Sequence, residues 1–265
     1  MNERFTDLAF TKGDFNKATT SPSQTALTNW NWFLKYHLVN YLNFKPERPS
    51  ISFQSGTFVH EYFQAFLQGR DFEDKDISAH YENKLNNMKL EERHLMKGKF
   101  IHKKINKFIN KHIQSIAESF ELNDWKVEVP FSDWYDEKYM GQKLNIANEG
   151  YIDCVNEKLN VLTEHKNRFG SVKLQPLKKK STKETGNRIG DWVYSKAQKL
   201  KQPQFTHCIQ VSIYAKHYNY KYKPHLIYVD DEEITAFTPD NCWELTTRGL
   251  QYFFRKFIQI NIQRQ

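Results

Sequence analysis

The sequence predicts an α/β fold, and three observations carry that reading. Helical periodicity fills most of the first half. Three strand-like segments then follow in close succession between about residues 125 and 167, and a helix, two short strands and a closing helix complete the 265 residues. A chain of this length can bury one large core, and it reads as a single domain over 1–265 with a helical insertion at about 73–122.

The elements follow in order. SPSQTALTNWNWFLKYHLVNYL, Ser21 to Leu42, reads as a turn and a helix capped by Ser21 or Ser23, and KPERPS breaks it. Ser55-Gly56 opens a second helix whose Val59, Tyr62, Phe63 and Phe66 form a buried stripe, and Gly69 ends it. From Asp76 to Leu122 the pattern is helical almost throughout. A long second helix there carries Ile101, Ile105, Phe108, Ile109, Ile113, Ile116 and Phe120 on one face and Lys99, Lys103, Lys104, Lys107 and Lys111 on the other. That lysine face is either solvated or a wall for phosphates.

WKVEVPF, GQKLNIANEGYIDCV and LNVLTEHKN alternate with period two and predict an antiparallel meander. Gly170 to Gly190 is poor in apolar residues and holds a KKKSTK cluster, so it reads as a long loop. A helix resumes near Asp191, breaks at Pro203 and continues as QFTHCIQVSIYAKHYNY. HLIYVDDEEITAFT reads as two strands joined by a solvated acidic turn, Asp230 to Glu233, whose adjacent acids do not converge on a metal.

Composition narrows the function. Lys and Arg number 39 against 31 Asp and Glu, a net charge of +8, with a pI near 9.1 and a mean hydropathy of −0.78. This balance favours a polyanionic partner, nucleic acid before membrane. No window approaches the roughly 18 apolar residues of a membrane span, and the start lacks a secretory pattern, so a cytoplasmic protein is expected. Cys154, Cys208 and Cys242 are far apart and form no C-x-x-C pair, which sets thiolate metal chemistry aside.

GYIDCVNEKLNVLTEHKN, Gly150 to Asn167, places acids and a lysine where half-buried strands prefer apolar residues. On a strand, Glu164 and Lys166 share one face and His165 takes the other. Asp153 can lie beside Glu164 when the strands pair. Two carboxylates with a carbonyl nearby suit magnesium or manganese, and a neighbouring lysine can orient water and offset charge on a phosphate. The same residues could instead form an exposed cross-strand ion pair. His60 lies off the apolar stripe of its helix, where it could meet the sheet edge. Gln210 and Tyr214, four apart, share a helix face that His207 and His217 continue.

G-x-x-x-H at Gly56 to His60, G-x-x-D at Gly150 to Asp153, E-x-K at Glu164 to Lys166 and Q-x-x-x-Y at Gln210 to Tyr214 occur in this order, preceded by SPSQ and an aromatic-rich helix. The series resembles the RecB-like branch of the PD-(D/E)XK nuclease superfamily over residues 21 to about 230. The resemblance implies a mixed central sheet flanked by helices, a restriction-endonuclease-like core with extra N-terminal and C-terminal helices. It implies that His60, Asp153, Glu164 and the main-chain carbonyl of His165 hold Mg2+ or Mn2+, that Lys166 positions the attacking water, and that Gln210 and Tyr214 line the site. Ile152 stands where a proline is usual before the aspartate, and Asn167 where Thr or Ser commonly follows the lysine.

The activity implied is a metal-dependent DNA exonuclease of the kind phages use in recombination, repair or DNA breakdown. DNA would be gripped by the lysine loop through Lys173, Lys178, Lys179, Lys180, Lys183 and Arg188. The alternatives are a structure-specific endonuclease on the same core and a catalytically silent DNA-binding recombination module. DNA, a recombination or single-strand-binding protein and further copies of the chain are the partners such a protein would meet; a membrane is not among them.

Overall fold

The computed structural model describes residues 19–20, 50–174 and 191–264. The helix expected at Ser21 to Leu42 and most of the lysine loop lie outside them. Strand β1 (Thr19–Thr20) is followed by helices α1 (Ile51–Leu67), α2 (Asp74–Asn86), α3 (Glu92–His102) and α4 (Ile105–Ala117), then by strands β2 (Trp125–Tyr139), β3 (Gln142–Asn156), β4 (Val161–Asn167), β5 (Ser171–Leu174) and β6 (Trp192–Ser195). Helix α5 (Phe205–His217), strands β7 (Lys223–Val229) and β8 (Ile234–Phe237), a 3₁₀ turn at Trp243–Leu245 and helix α6 (Thr247–Arg264) complete the fold. The architecture is mixed α/β, as the sequence predicts.

The six-stranded sheet runs β1-β3-β4-β7-β8, with β2 pairing β3 along its length. The contacts β2–β3, β3–β4 and β7–β8 are antiparallel, and β4–β7 and β1–β3 are parallel, so the sheet is mixed. Helix α5 leads from β4 to the parallel strand β7, the connection a parallel pair requires. One core joins α5 and α6 to Leu162, Leu226 and Tyr228. A second joins α1 to α4 with Cys154, Val161, Ile227 and Val229. Alternate residues of β7 therefore enter opposite cores, which is why LIYV is continuously apolar.

The β2–β3 hairpin turns at Met140 and Gly141, both at positive φ (50° and 81°), between the paired residues Tyr139 and Gln142. Two left-handed residues in a two-residue loop match the twist of the flanking strands.

Four expectations need correction. Helix α1 starts at Ile51, one turn before Ser55-Gly56, because Ser50 caps it by accepting the Phe53 N–H at 3.2 Å. The long lysine-bearing helix is two helices, interrupted where Lys104 leaves helical geometry at φ −128°. No helix resumes near Asp191: Trp192, Val193 and Tyr194 favour extended backbone and pair with β5. Finally, the Asp230–Glu233 turn is not solvated throughout, since Asp230 and Asp231 are buried. Lys104 bonds Asp231, Lys196 and Lys199 bond Glu232 and Glu233, and Lys111 donates to the Glu232 carbonyl. Lysines expected to face solvent or phosphate are thus spent on this turn. Among the described residues, no helix is long and apolar enough to cross a membrane.

Candidate functional site

Strands β3 and β4 pair only from Asn156↔Val161 to Cys154↔Thr163. The next rung would join Asp153 to Glu164. Instead the strands part, and the Asp153 carboxylate accepts the His165 N–H at 2.8 Å through Oδ2. Glu164 and Lys166 leave β4 on one face and His165 on the other, as the alternation predicts. Glu164 is wholly buried, Lys166 is 25 % exposed and its Nζ bonds Glu164 Oε1. That burial excludes the exposed cross-strand pair.

Helix α5 supplies Gln210, whose amide donates to Glu164 Oε1 and to the Tyr214 hydroxyl, each at 2.7 Å. Tyr214 in turn donates to the Tyr151 carbonyl at 3.1 Å, tying α5 to β3 two residues before Asp153. The other histidines of that helix point elsewhere: His207 meets Tyr228 and His217 meets Asp133. Helix α1 brings His60, whose Nδ1 lies 3.9 Å from Asp153 Oδ2; the two side chains are 20 % and 17 % exposed. These two and Lys166 form the open side of the cluster.

The electrostatics follow from a wholly buried acid and a partly exposed one sharing one lysine. Burial, then Asp153, push the Glu164 carboxyl up to about 8, against the pull of Lys166. Burial also raises Asp153, opposed by Lys166 and the His165 N–H. For Lys166, burial works against the charge, but the Glu164 and Asp153 carboxylates outweigh it and its pKa rises. Burial, and then Lys166, bring His60 down to about 3, so its imidazole is neutral. Glu164 Oε2 is buried and has no hydrogen-bond partner among the described residues. Among the described residues, no group of three or more His, Cys, Asp and Glu side chains is gathered to hold a metal ion.

Several neighbours were not singled out from the sequence. Gln64, on the His60 face of α1, donates to Glu128 at 2.9 Å. Glu128 falls between the β2–β3 pairs Val127↔Cys154 and Val129↔Ile152 and has a positive φ of 49°, a strained geometry for a residue with a side chain. The His60–Gln64 spacing of four was a usable signal. His112 of α4 is fully buried and contacts His165 and Asn167. Its signal was a histidine on an otherwise apolar helix face, a pattern that ordinary core histidines share.

Of the expected DNA-binding residues, Lys173 is exposed on β5; Lys178, Lys179, Lys180, Lys183 and Arg188 lie outside the described residues. On α3, Arg93 donates to the Val172 carbonyl of β5 at 3.3 Å. Burial, and then Arg93, lower the pKa of its neighbour Lys97. Neither cation has an acidic partner among the described residues.

No protein-family model matches the chain, and no curated protein matches it. Among solved structures, the chain is similar to one described as the crystal structure of SSO0001, at 14 % identity over 77 % of this chain and 85 % of that chain, with a TM-score of 0.30.

Proposed function

We propose that this chain is a metal-dependent deoxyribonuclease on a restriction-endonuclease-like core, acting as an exonuclease. One observation carries the reading. Residues from four motifs spread between His60 and Tyr214 meet at the point where β3 and β4 part. Motifs matched by accident along a sequence have no reason to converge.

The donor set fits Mg2+ or Mn2+. A buried carboxylate oxygen without a donor is costly, and a cation beside Glu164 Oε2 would satisfy it. Asp153 faces the same gap. The His165 carbonyl leaves β4 on the edge its N–H uses, toward Asp153, because both groups of one strand residue point the same way. His60 would complete the shell through its neutral imidazole. The ion, when bound, supplies Lewis acidity toward a phosphate and a water of lowered pKa.

The chain's own residues do the rest. Lys166 and Gln210 hold Glu164 Oε1, and Oε2 is left without a partner among the described residues. Lys166, kept charged by the two acids, would orient the attacking water and offset charge developing on the phosphate. Tyr214 keeps its proton and pins β3 through the Tyr151 carbonyl, which fixes where Asp153 begins. Arg93 and Lys97, which have no acidic partner among the described residues, together with Lys173, would track the phosphate backbone.

Linear duplex labelled at each end, with and without Mg2+, tests the proposal. Digestion should require the ion and be lost in Lys166→Ala and Glu164→Gln. Digestion by both variants at the parent rate would refute the site. Covalently closed circular DNA separates the modes, since an exonuclease leaves it intact and an endonuclease nicks it.

A further inference from the structure

Behind the candidate site lies a buried chain of polar contacts that the motif series does not contain. Thr163 Oγ1 lies 3.1 Å from His165 Nε2, and His165 Nδ1 lies 3.0 Å from His112 Nδ1. His112 Nε2 lies 2.9 Å from Asn167 Oδ1, and Asn167 Nδ2 reaches the Gly56 carbonyl at 3.5 Å. Thr163, His165 and His112 are all wholly buried.

Only one arrangement of protons satisfies every link. The Gly56 carbonyl can only accept, so it faces the amide nitrogen of Asn167 and leaves Oδ1 toward His112. Oδ1 can only accept, so His112 Nε2 carries a hydrogen. Both rings are wholly buried and, among the described residues, neither hydrogen-bonds a carboxylate, so the arrangement is one of two neutral imidazoles. A neutral ring with Nε2–H has a bare Nδ1, so His165 must donate through Nδ1–H, and its bare Nε2 then accepts from the Thr163 hydroxyl. The wire therefore runs in one direction, from Thr163 through His165, His112 and Asn167 to Gly56.

The wire touches the site at two points. The Gly56 carbonyl is the one the helical ladder of α1 assigns to the His60 N–H. The His165 ring hangs behind the residue whose N–H holds Asp153. Phe63 packs on both imidazoles, at 4.6 Å from His165 and 5.4 Å from His112 between ring centroids. Beside that apolar wall, the wire is a polar link between α1 and β4.

We propose that His112, supplied by the helical insertion, is a positioning residue: it fixes His165 as the Nδ1–H tautomer and, through Asn167, locks the Gly56–His60 turn of α1 to β4. The role in catalysis rests on the nuclease reading; the tautomers do not. Asn167, where the family resemblance departs from Thr or Ser, is thereby given a task, since its amide both accepts from His112 and donates to α1.

Two measurements test this. Long-range nitrogen–proton NMR of the full chain with labelled histidine, at pH 7, should show His112 neutral with Nε2–H and His165 neutral with Nδ1–H, assigned by loss of each signal in single variants. A charged ring at either position, or Nε2–H at His165, overturns the proposal. The second measurement compares His112→Leu with His112→Gln, whose amide can donate to Asn167 and accept from His165. The leucine variant should lose about tenfold or more in kcat at unchanged KM for DNA, with a smaller rise in melting temperature on adding Mn2+, and the glutamine variant should recover most of both. Loss of melting temperature alone, with kcat per folded molecule unchanged, would make His112 merely structural. A parent chain that never cleaves DNA counts against the nuclease reading, and the wire then stands or falls on the tautomers.

Discussion

Two acidic clusters lie on this sheet, and both hold buried carboxylates with a lysine against them. At the Asp230–Glu233 turn, Lys104, Lys196 and Lys199 bond acid side chains and Lys111 bonds the Glu232 carbonyl. Asp230 closes the turn itself, accepting the Glu232 and Glu233 N–H groups at 2.8 Å each. At the parting of β3 and β4, Asp153 and Glu164 share one lysine among the described residues, Lys166. Each cluster has one buried oxygen without a hydrogen-bond partner among the described residues, Asp231 Oδ1 in the first and Glu164 Oε2 in the second. An orphan oxygen by itself therefore does not mark a cation site. The ratio of acids to lysines separates the two: the four acids of the turn face four lysines, whereas the two acids of the motif cluster share one, so Glu164 keeps a proton in the metal-free chain.

The comparison breaks most visibly in activity. Lys166→Ala should cut cleavage by at least about a hundredfold while the protein stays folded. Lys104→Met should leave cleavage per folded molecule at the parent level. Its cost belongs to stability, about 2 kcal/mol, because Asp231 is 1 % exposed and loses its cation, discounted for a lysine that is itself 36 % exposed. Denaturant melts alongside the cleavage assay separate the two effects. A Lys104→Met protein that folds normally and cannot cleave would erase the distinction between the clusters.

Metal linkage gives the next largest effect. At about ten times its Kd, Mn2+ should stabilise the parent by about 1.4 kcal/mol, or roughly 3 °C in melting temperature. Glu164→Gln should abolish that shift and Asp231→Asn should keep it. DNA affinity in the Lys166→Ala background gives a third effect, because Arg93→Glu combined with Lys97→Glu should flatten the dependence of log K on log salt by about two units. An unchanged slope would remove α3 from the phosphate track.

The smallest effect is on pH. Glu164, raised by burial and Asp153 to about 8 from an ordinary 4.5, binds its proton more tightly in the folded metal-free chain. Its contribution is therefore full below pH 4.5 and is lost as pH rises toward 8, with a slope of at most about 1.4 kcal/mol per pH unit. Buried histidines such as His60 act with the opposite sign, losing stability as pH falls from 6.5 toward 3. Between pH 6.5 and 8 the Glu164 slope should dominate, and Glu164→Gln should flatten it.

What could be read in advance depended on whether a signal was local. Period-two alternation located β3 and β4, and helical spacing paired Gln210 with Tyr214. Where geometry came from tertiary contact, the sequence misled or was silent. The lysines at 104 and 111 look like a phosphate wall until the β7–β8 turn folds against them. Trp192 to Ser195 become a strand because β5 is there to pair with. His112 sits in an apolar stripe 53 residues from His165, and only the packing of α4 against β4 gives it a meaning. Glu128 was legible only as one more alternating residue, since its positive φ is a property of the folded hairpin.

The break in pairing after Cys154↔Thr163 bears on how an inactive variant should be made. Asp153 stands in for a rung of the sheet, because its carboxylate takes the N–H that β3 would otherwise satisfy. Truncation to alanine therefore removes a site charge and a backbone hydrogen bond at once, and any loss of activity is confounded with local fraying. Asparagine keeps an oxygen for the His165 N–H while discarding the charge. A crystallisable, substrate-trapping form of this protein is best sought in Asp153→Asn.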